Sequence, residues 1–445
     1  MSFNKYIPYY ITNLRLALPV VLTQLGGGLV GMFDTIMVGH VDAYSLAAVS
    51  FANSIFVIGF VAAMGVPMAI TPMVGQSDAR GETDEVASIL GNGLCFTLFF
   101  GTLISLLLFA IVPLMPLMGQ EAEVIKLAKP YYCLQVISIL PAMVFFCGKQ
   151  FLEGLGNTKV AMWIMLFTNT MNIILNYILI FGHFGAPALG ATGAGIASLA
   201  ARTLSPLIIF VCIRKAKQWN KYLKMIQWSK INWSSIKEVA VVGLPIGGQS
   251  VLECLSFSIS CIMVGWLGAV SLASHEIACQ LSNITWMGIM GVGSATVIRV
   301  SHLYGVKDYE NMRYCATASI HLAIIYELFT SLIIIGFCKQ IPMIFTNDAA
   351  VIAMAPALII CCGLYQISDG LQVIGLSILR GMTDVKRPVV YSFLGYLVIC
   401  IPIGYLLLTR TGLGAIGVWI GFIATLTTMA VLFLLRYKRL LKELK

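Results

Sequence analysis

Twelve apolar runs recur along this chain, and each is long enough to cross a hydrocarbon core of roughly 30 Å as a helix. They span approximately 14–40, 47–73, 86–112, 124–150, 160–181, 190–213, 236–265, 272–298, 312–337, 350–378, 387–408 and 414–436. Of 445 residues, 59% are hydrophobic and 11% charged, and mean hydropathy is +0.91. A soluble domain carries about 25% charged residues, so this composition is that of a membrane protein. The first run is too long for a cleavable signal and no small-x-small site follows it, so it is expected to stay as a helix.

A net charge of +9 raises the question of a nucleic-acid partner, but its placement excludes one. The termini and the loops after segments 2, 4, 6, 8 and 10 carry 23 of the 28 Lys and Arg residues. The opposite loops hold four, Lys126, Lys129, Lys339 and Arg410, while Arg202 sits inside segment 6. By the positive-inside rule both termini are cytoplasmic, which requires an even number of spans. The basic surplus encodes orientation. The 12 cysteines lie almost entirely within apolar runs, with no Cys-x-x-Cys pair and no histidine cluster, so they read as free thiols filling helix interfaces.

The chain is written twice. Leu18-Pro19 matches Leu244-Pro245, and Met37-Val38-Gly39 matches Met263-Val264-Gly265, at the same offset of 226 residues. Glu153-Gly154 through Lys159 parallels Arg380-Gly381 through Lys386, and Leu189-Gly190-Ala191 parallels Leu413-Gly414-Ala415. Six spans per half give both halves one orientation, a parallel repeat about an axis along the membrane normal. The expected organisation is an N-lobe over 1–213, a basic cytoplasmic linker over 214–237 and a C-lobe over 238–445. The linker carries Arg214, Lys215, Lys217, Lys221, Lys224, Lys230 and Lys237 with Trp219, Trp228 and Trp233. It reads either as an interfacial helix on anionic lipid or as a solvated loop.

Against this apolar background, acids at membrane depth stand out, because a charge at a bilayer centre costs about 2.5 to 3.5 kcal/mol on insertion scales. Asp34 follows Gly27 and Gly31 on one face of segment 1, where small residues either pack a neighbouring helix or leave a wet cavity. Asn172 and Asn176 share a face of segment 5 and are natural partners for Asp34, or glue between helices. Segment 7 spaces Gln249, Glu253 and Phe257 four apart, so that an acid and an aromatic ring can meet an organic cation. Segment 10 offers Tyr365, Asp369 and Gln372. If segments 7 and 10 face each other, Glu253, Asp369 and Tyr365 form an all-oxygen cluster suited to an alkali cation, or a pair that shares a proton. The repeat aligns Asp34 with Ser260 and Glu253 with Gly27, so each lobe has its own carboxylates.

Other polar groups read as structural. Glu327 in segment 9 reads as a fourth acidic site or, at least as well, as an isolated structural contact; His275-Glu276 looks like a solvated mouth, and the glycine-rich run from Gly190 to Gly195 like helix packing. No nucleophile–base–acid constellation points to an enzyme, and the role of Arg202 stays open.

These residues resemble the multidrug and toxic compound extrusion (MATE) family, in its bacterial NorM-like branch. The resemblance rests on Gly31-Met-Phe-Asp34-Thr-Ile-Met-Val-Gly39, Leu244-Pro245 before Glu253, Glu153-Gly-Leu-Gly-Asn-Thr-Lys159 and Tyr365-Gln-Ile-Ser-Asp369. It covers essentially the whole chain. It implies an all-α membrane fold of 12 helices in two six-helix bundles related by a pseudo-twofold repeat, with a central cavity. It implies export of cationic and amphipathic drugs in exchange for Na⁺, which Glu253 favours, or H⁺. It also assigns Glu253, Asp369 and Tyr365 to a C-lobe cation site, and Asp34, Asn172 and Asn176 to an N-lobe pocket. Asp348 is carried over as a residue near the external mouth, and Phe257 as a neighbour of Glu253. The expected protein is a monomer in the bacterial inner membrane, with lipid and small drugs as partners and no cofactor beyond the coupling ion. A lipid-linked precursor flippase is the alternative, disfavoured because the intramembrane charges are mostly acidic.

Overall fold

Inside a bilayer every backbone N–H and C=O has to be satisfied within the protein, and a helix does this within one segment. The computed structural model, described over residues 5–228 and 233–444, holds twelve helices long and apolar enough to cross a membrane. They are α1 (Ile7–Gly39), α2 (Ala43–Ala79), α3 (Thr83–Phe109), α4 (Ala122–Gly154), α5 (Lys159–Phe181) and α6 (Gly190–Lys215). The second set is α7 (Trp233–Gly265), α8 (Ala269–Gly305), α9 (Tyr309–Gly336), α10 (Ala349–Gly381), α11 (Lys386–Arg410) and α12 (Ala415–Glu443). Several begin or end beyond the apolar runs, because a helix continues into polar sequence once its hydrogen bonds are running.

The chain forms two compact units: one runs from Leu22 to Gly247, and the other joins the residues up to Val21 to those from Gly248 onward. The unit boundaries therefore fall inside α1 and α7 and not in the basic linker. Side chains explain the first. The start of α1 is tied to α9 by Lys5 Nζ donating to Tyr314 Oη at 2.5 Å, Tyr9 Oη to Asn311, and buried Asn13 Nδ2 to Ser319 Oγ at 2.9 Å. Backbone approach explains the second. A Cβ at Gly247, early in α7, would stand 2.9 Å from the Ala62 carbonyl oxygen of α2.

In the second unit α10 is the hub, packing along α8, α9 and α12. In the first, α6 packs along α5 and both segments of α4, which is broken at Ser138. The linker region contains a short helix, Lys217–Met225, outside the spans. Its Tyr222 is buried edge-on against Phe151 and donates to Asp78 Oδ1 at 2.9 Å, and Trp219 and Leu223 join the same cluster. Burial, then the hydrogen bond to Asp78, push the Tyr222 phenol up to about 12. This segment is thus helical and packs Tyr222, Trp219 and Leu223 on the protein, and it is not a solvated loop; Lys230 lies outside the described residues. None of the 12 cysteines is disulfide-bonded.

The repeat is visible in matched close contacts. Gly193 in α6 brings its backbone against α5, where a Cβ would meet the Leu179 carbonyl oxygen at 2.6 Å; Gly417 in α12 does the same against α11, 2.6 Å from Leu407 Cβ. The glycine-rich run after Gly190 is helix packing. Replacing either residue by alanine, Gly193→Ala or Gly417→Ala, should cost about 1–3 kcal/mol through overpacking. Thermal unfolding in detergent measures this, and an unshifted midpoint for both would show that the helices can simply move apart.

Candidate functional site

The N-terminal unit encloses a cavity of about 290 Å³ around Asp34. Gly27 and Gly31 line it, and a Cβ on either would meet nothing within 4 Å. The small residues of α1 therefore leave space beside the carboxylate and do not seat a helix. Asn176, fully buried, donates to Asp34 Oδ1. The Asn172 amide suits its surroundings best turned about, with nitrogen 3.0 Å from Asp34 Oδ1 and oxygen 3.3 Å from the Ser198 backbone N–H. The spacing of the two asparagines anticipated this pocket.

Two further wall residues were not anticipated as a pair with it. Asn169, one turn before Asn172, lines the cavity with an unpartnered buried Nδ2. Arg202 of α6 also lines it, and its Nη1 donates to Gln135 Oε1 at 2.6 Å and Ser138 Oγ at 2.7 Å, the residues at the α4 break. The guanidinium lies over the Phe60 ring at 5.0 Å and the Phe56 ring at 5.5 Å. Gln135 in turn donates to Tyr131 Oη at 2.8 Å, which donates to Asn53 at 3.1 Å. The cavity thus presents one carboxylate with amide donors and one guanidinium held on aromatic faces. A lone arginine within an apolar run carries no sequence signal of which helix will receive it.

The C-terminal unit gathers a second set. Asp369 is 1% exposed, and neither of its oxygens has a partner at hydrogen-bonding geometry; the Tyr365 hydroxyl, one turn earlier, lies beside it. Glu253 stands close enough for its charge to act on Asp369, and Arg380 close enough to act on Glu253. Arg380 Nη2 donates to Gln249 Oε1 at 3.2 Å. Arg380 was counted among cytoplasmic charges from sequence, but α10 extends to Gly381 and carries it into this cluster. The signal was there in the repeat, which puts Arg380 at the place of Glu153, itself in a buried ion pair with Lys149 at 3.3 Å.

Glu327 is not isolated. It is 1% exposed and lies against Gly370, the neighbour of Asp369, within range of that residue's charge. Phe257 stacks on Phe422 with centroids 4.6 Å apart, and Tyr365 meets Trp419 edge-on at 5.6 Å, forming an aromatic wall. His275 departs from its expected solvated mouth: it is fully buried, and its Nδ1 accepts from Trp419 Nε1 at 3.2 Å. An indole donor at that site needs a buried acceptor, and imidazole supplies it. Among the described residues, no three His, Cys, Asp or Glu side chains group as a metal-holding set.

Two helical units, each burying carboxylates at membrane depth, define a multi-pass membrane transport protein. The MatE family model matches residues 19–178 and 245–406, one stretch in each half. The chain is 30% identical to the probable multidrug resistance protein NorM of Rhizobium meliloti, over 99% of this chain and 96% of that protein. It is 32% identical to the multidrug resistance protein MdtK of Yersinia pseudotuberculosis, over 99% and 97%. Among solved structures, a Vibrio cholerae MATE transporter, VcmN, superposes with a TM-score of 0.90 at 18% identity, covering 99% of this chain and 98% of that one. The chain belongs to the MATE family, in its NorM-like branch, among relatives named as multidrug resistance proteins.

Asp348 takes a different place from the buried acids. It caps α10, its Oδ1 accepting from Ala350 N at 2.8 Å and Val351 N at 3.3 Å. Removing the cap in Asp348→Ala should cost about 0.5–2 kcal/mol. Asp348→Asn, which keeps a capping oxygen, should restore the unfolding midpoint; loss of drug efflux in a stably folded Asn variant would assign the carboxylate a transport role instead.

Proposed function

We propose that the chain exports organic cations and amphipathic drugs from a bacterial cytoplasm by cation-coupled antiport, with both termini cytoplasmic. The observation that carries this reading is Asp369, a carboxyl group 1% exposed at membrane depth, with only the Tyr365 hydroxyl beside it and neither oxygen at hydrogen-bonding geometry. Such a group persists only where a cation or proton visits it. Glu253 and Tyr365 are the further members of this coupling-ion site, for Na⁺ or H⁺. Asp34 with Asn172 and Asn176 forms the polar pocket of the other lobe, where a cationic group meets the carboxylate and apolar parts meet Phe60 and Phe146. Phe257 contributes an aromatic face beside the C-lobe acids.

The coupling follows from competition for negative charge. An ion entering from outside neutralises the C-lobe acids and weakens the hold on a cationic drug; the drug leaves, access alternates, and the ion leaves inside. A tenfold ion gradient supplies about 1.4 kcal/mol. The membrane potential adds about 2.3 kcal/mol per 100 mV for each net charge moved. One-for-one exchange of monovalent cations moves no net charge, so large drug gradients require more than one ion per drug.

Ethidium efflux from proteoliposomes, with Na⁺ and pH gradients imposed separately, tests the scheme. Wild-type protein should respond to at least one gradient, and Asp369→Asn should lose ion-driven efflux by tenfold or more. Unaltered efflux from that variant would remove Asp369 from the coupling mechanism.

A further inference from the structure

The inner faces of α7, α9, α10 and α11 hold three carboxyl groups and one guanidinium. Arg380 is close to Glu253, reached by its charge, and the same guanidinium reaches Tyr396. Among the described residues no Lys or Arg acts on the other two acids. Asp369 has neither oxygen bonded, and Glu327 has Oε1 unpartnered, with only Thr330 Oγ1 on Oε2 at 3.2 Å. Both are 1% exposed.

The place of Glu327 against α10, beside the neighbour of Asp369, is built by an exchange of residue size between the two repeats. In the N-terminal unit, Gly101 of α3 faces Met143 of α4, its missing Cβ 3.2 Å from Met143 Cγ. The corresponding places on α9 and α10 are Glu327 and Gly370, with the large side chain now on the other helix. A Cβ on Gly370 would strike Glu327 Cγ and stand 3.1 Å from Oε1. Gly370 therefore provides the room that lets a carboxyl group lie beside Asp369.

An independent group points to the same spot. Tyr396 lies in a π-helical stretch of α11, Leu394–Cys400, a local widening of the kind that often marks functional sites. Its ring is 1% exposed, its hydroxyl has no partner, and it lies in the field of Glu253 and Asp369.

We propose that Asp369 and Glu327 together hold one exchangeable proton, so that Glu327 is an ion-coupling residue and the C-lobe carries H⁺ through this pair while Arg380 compensates Glu253. The proposal rests on the antiport reading and names its ion. Two acids without a counter-ion cannot both stay charged in an apolar interior, and one proton shared between neighbouring carboxyl groups relieves both. The proton binds one carboxyl oxygen on arrival from outside and leaves to water inside; no other bond changes. The groups facing the pair are Glu253 on α7, Tyr326 on α9, Tyr365 and the Cys362 thiol on α10, and Tyr396 on α11, while the Arg380 guanidinium reaches Glu253 and Tyr396. From α8 the Cys279 thiol reaches Cys362, and α12 presents Trp419 and Phe422 to Tyr365.

The test uses the full chain in proteoliposomes loaded with ethidium, first under a pH gradient without Na⁺, then under a Na⁺ gradient at equal pH. Wild type should export under the pH gradient, and detergent-solubilised wild type should release about one proton per ethidium bound, read with a pH-indicator dye. Glu327→Gln should lose pH-driven efflux at least tenfold and release no proton. Gly370→Ala, which displaces Glu327 without removing a carboxyl group, should shift the pH profile of efflux in the same direction. Size-exclusion profiles and equilibrium ethidium binding in detergent report whether each variant folds. Wild-type pH-driven efflux and proton release from Glu327→Gln, or from Gly370→Ala, would overturn the proposal. Wild type driven by Na⁺ alone would overturn it too while leaving drug efflux intact; wild type that exports under neither gradient would overturn the antiport reading itself.

Discussion

A carboxylate at membrane depth has to be met by donors, by a fixed cation, or by a mobile ion, and the arrangement of this molecule follows from which of these each acid receives. Asp34 has the first: amide nitrogens from α5 converge on it in a cavity that also holds Arg202. Glu253 has the second, in Arg380. Asp369 has neither, and it lies at the hub helix, where α8, α9 and α12 pack and where displacement is most constrained. A group left in that condition by a tightly packed helix is what a coupling ion can act on.

Apolar length and the internal repeat were legible because both depend on coarse properties that many residues report together. Twelve runs announce twelve helices, and matched Gly, Pro and turn residues announce two copies. The faces of α1, α5, α7 and α10 were legible for the same reason, since helical spacing alone puts Asn172 beside Asn176 and Tyr365 beside Asp369. The partners across helices were less so. Nothing in Arg202 reveals that a break at Ser138 will supply its acceptors, and nothing in His275 reveals that Trp419 will bury it. Each depends on rotation and depth of two helices, which hydropathy leaves undetermined.

The unit boundaries show the same limit. A charge-rich linker looks like the natural seam, yet α1 and α7 each begin in one compact unit and end in the other. No composition change marks Val21 or Gly247. What decides the membership is a few polar side chains of the first turns of α1 bonding to α9, and glycines early in α7 closing on α2. The boundaries lie within continuous helices, where a reading based on loops could not find them.

The repeat also explains how one scaffold comes to hold two different sites. The same helix-to-helix contact carries Gly101 against Met143 in one unit and Glu327 against Gly370 in the other. Exchanging which helix bears the large side chain keeps the volume at the contact similar, so packing tolerates the change. Chemistry does not, since a methionine fills space whereas a glutamate brings a charge next to Asp369. The N-terminal unit, with no acid at that contact, keeps Ala142 where the C-terminal unit has Asp369, and Ala142 lines its cavity. Division of labour between the lobes therefore needs no change of backbone. Substitutions at equivalent positions turn one copy into a pocket around an acid held by amides, and the other into a buried cluster of acids.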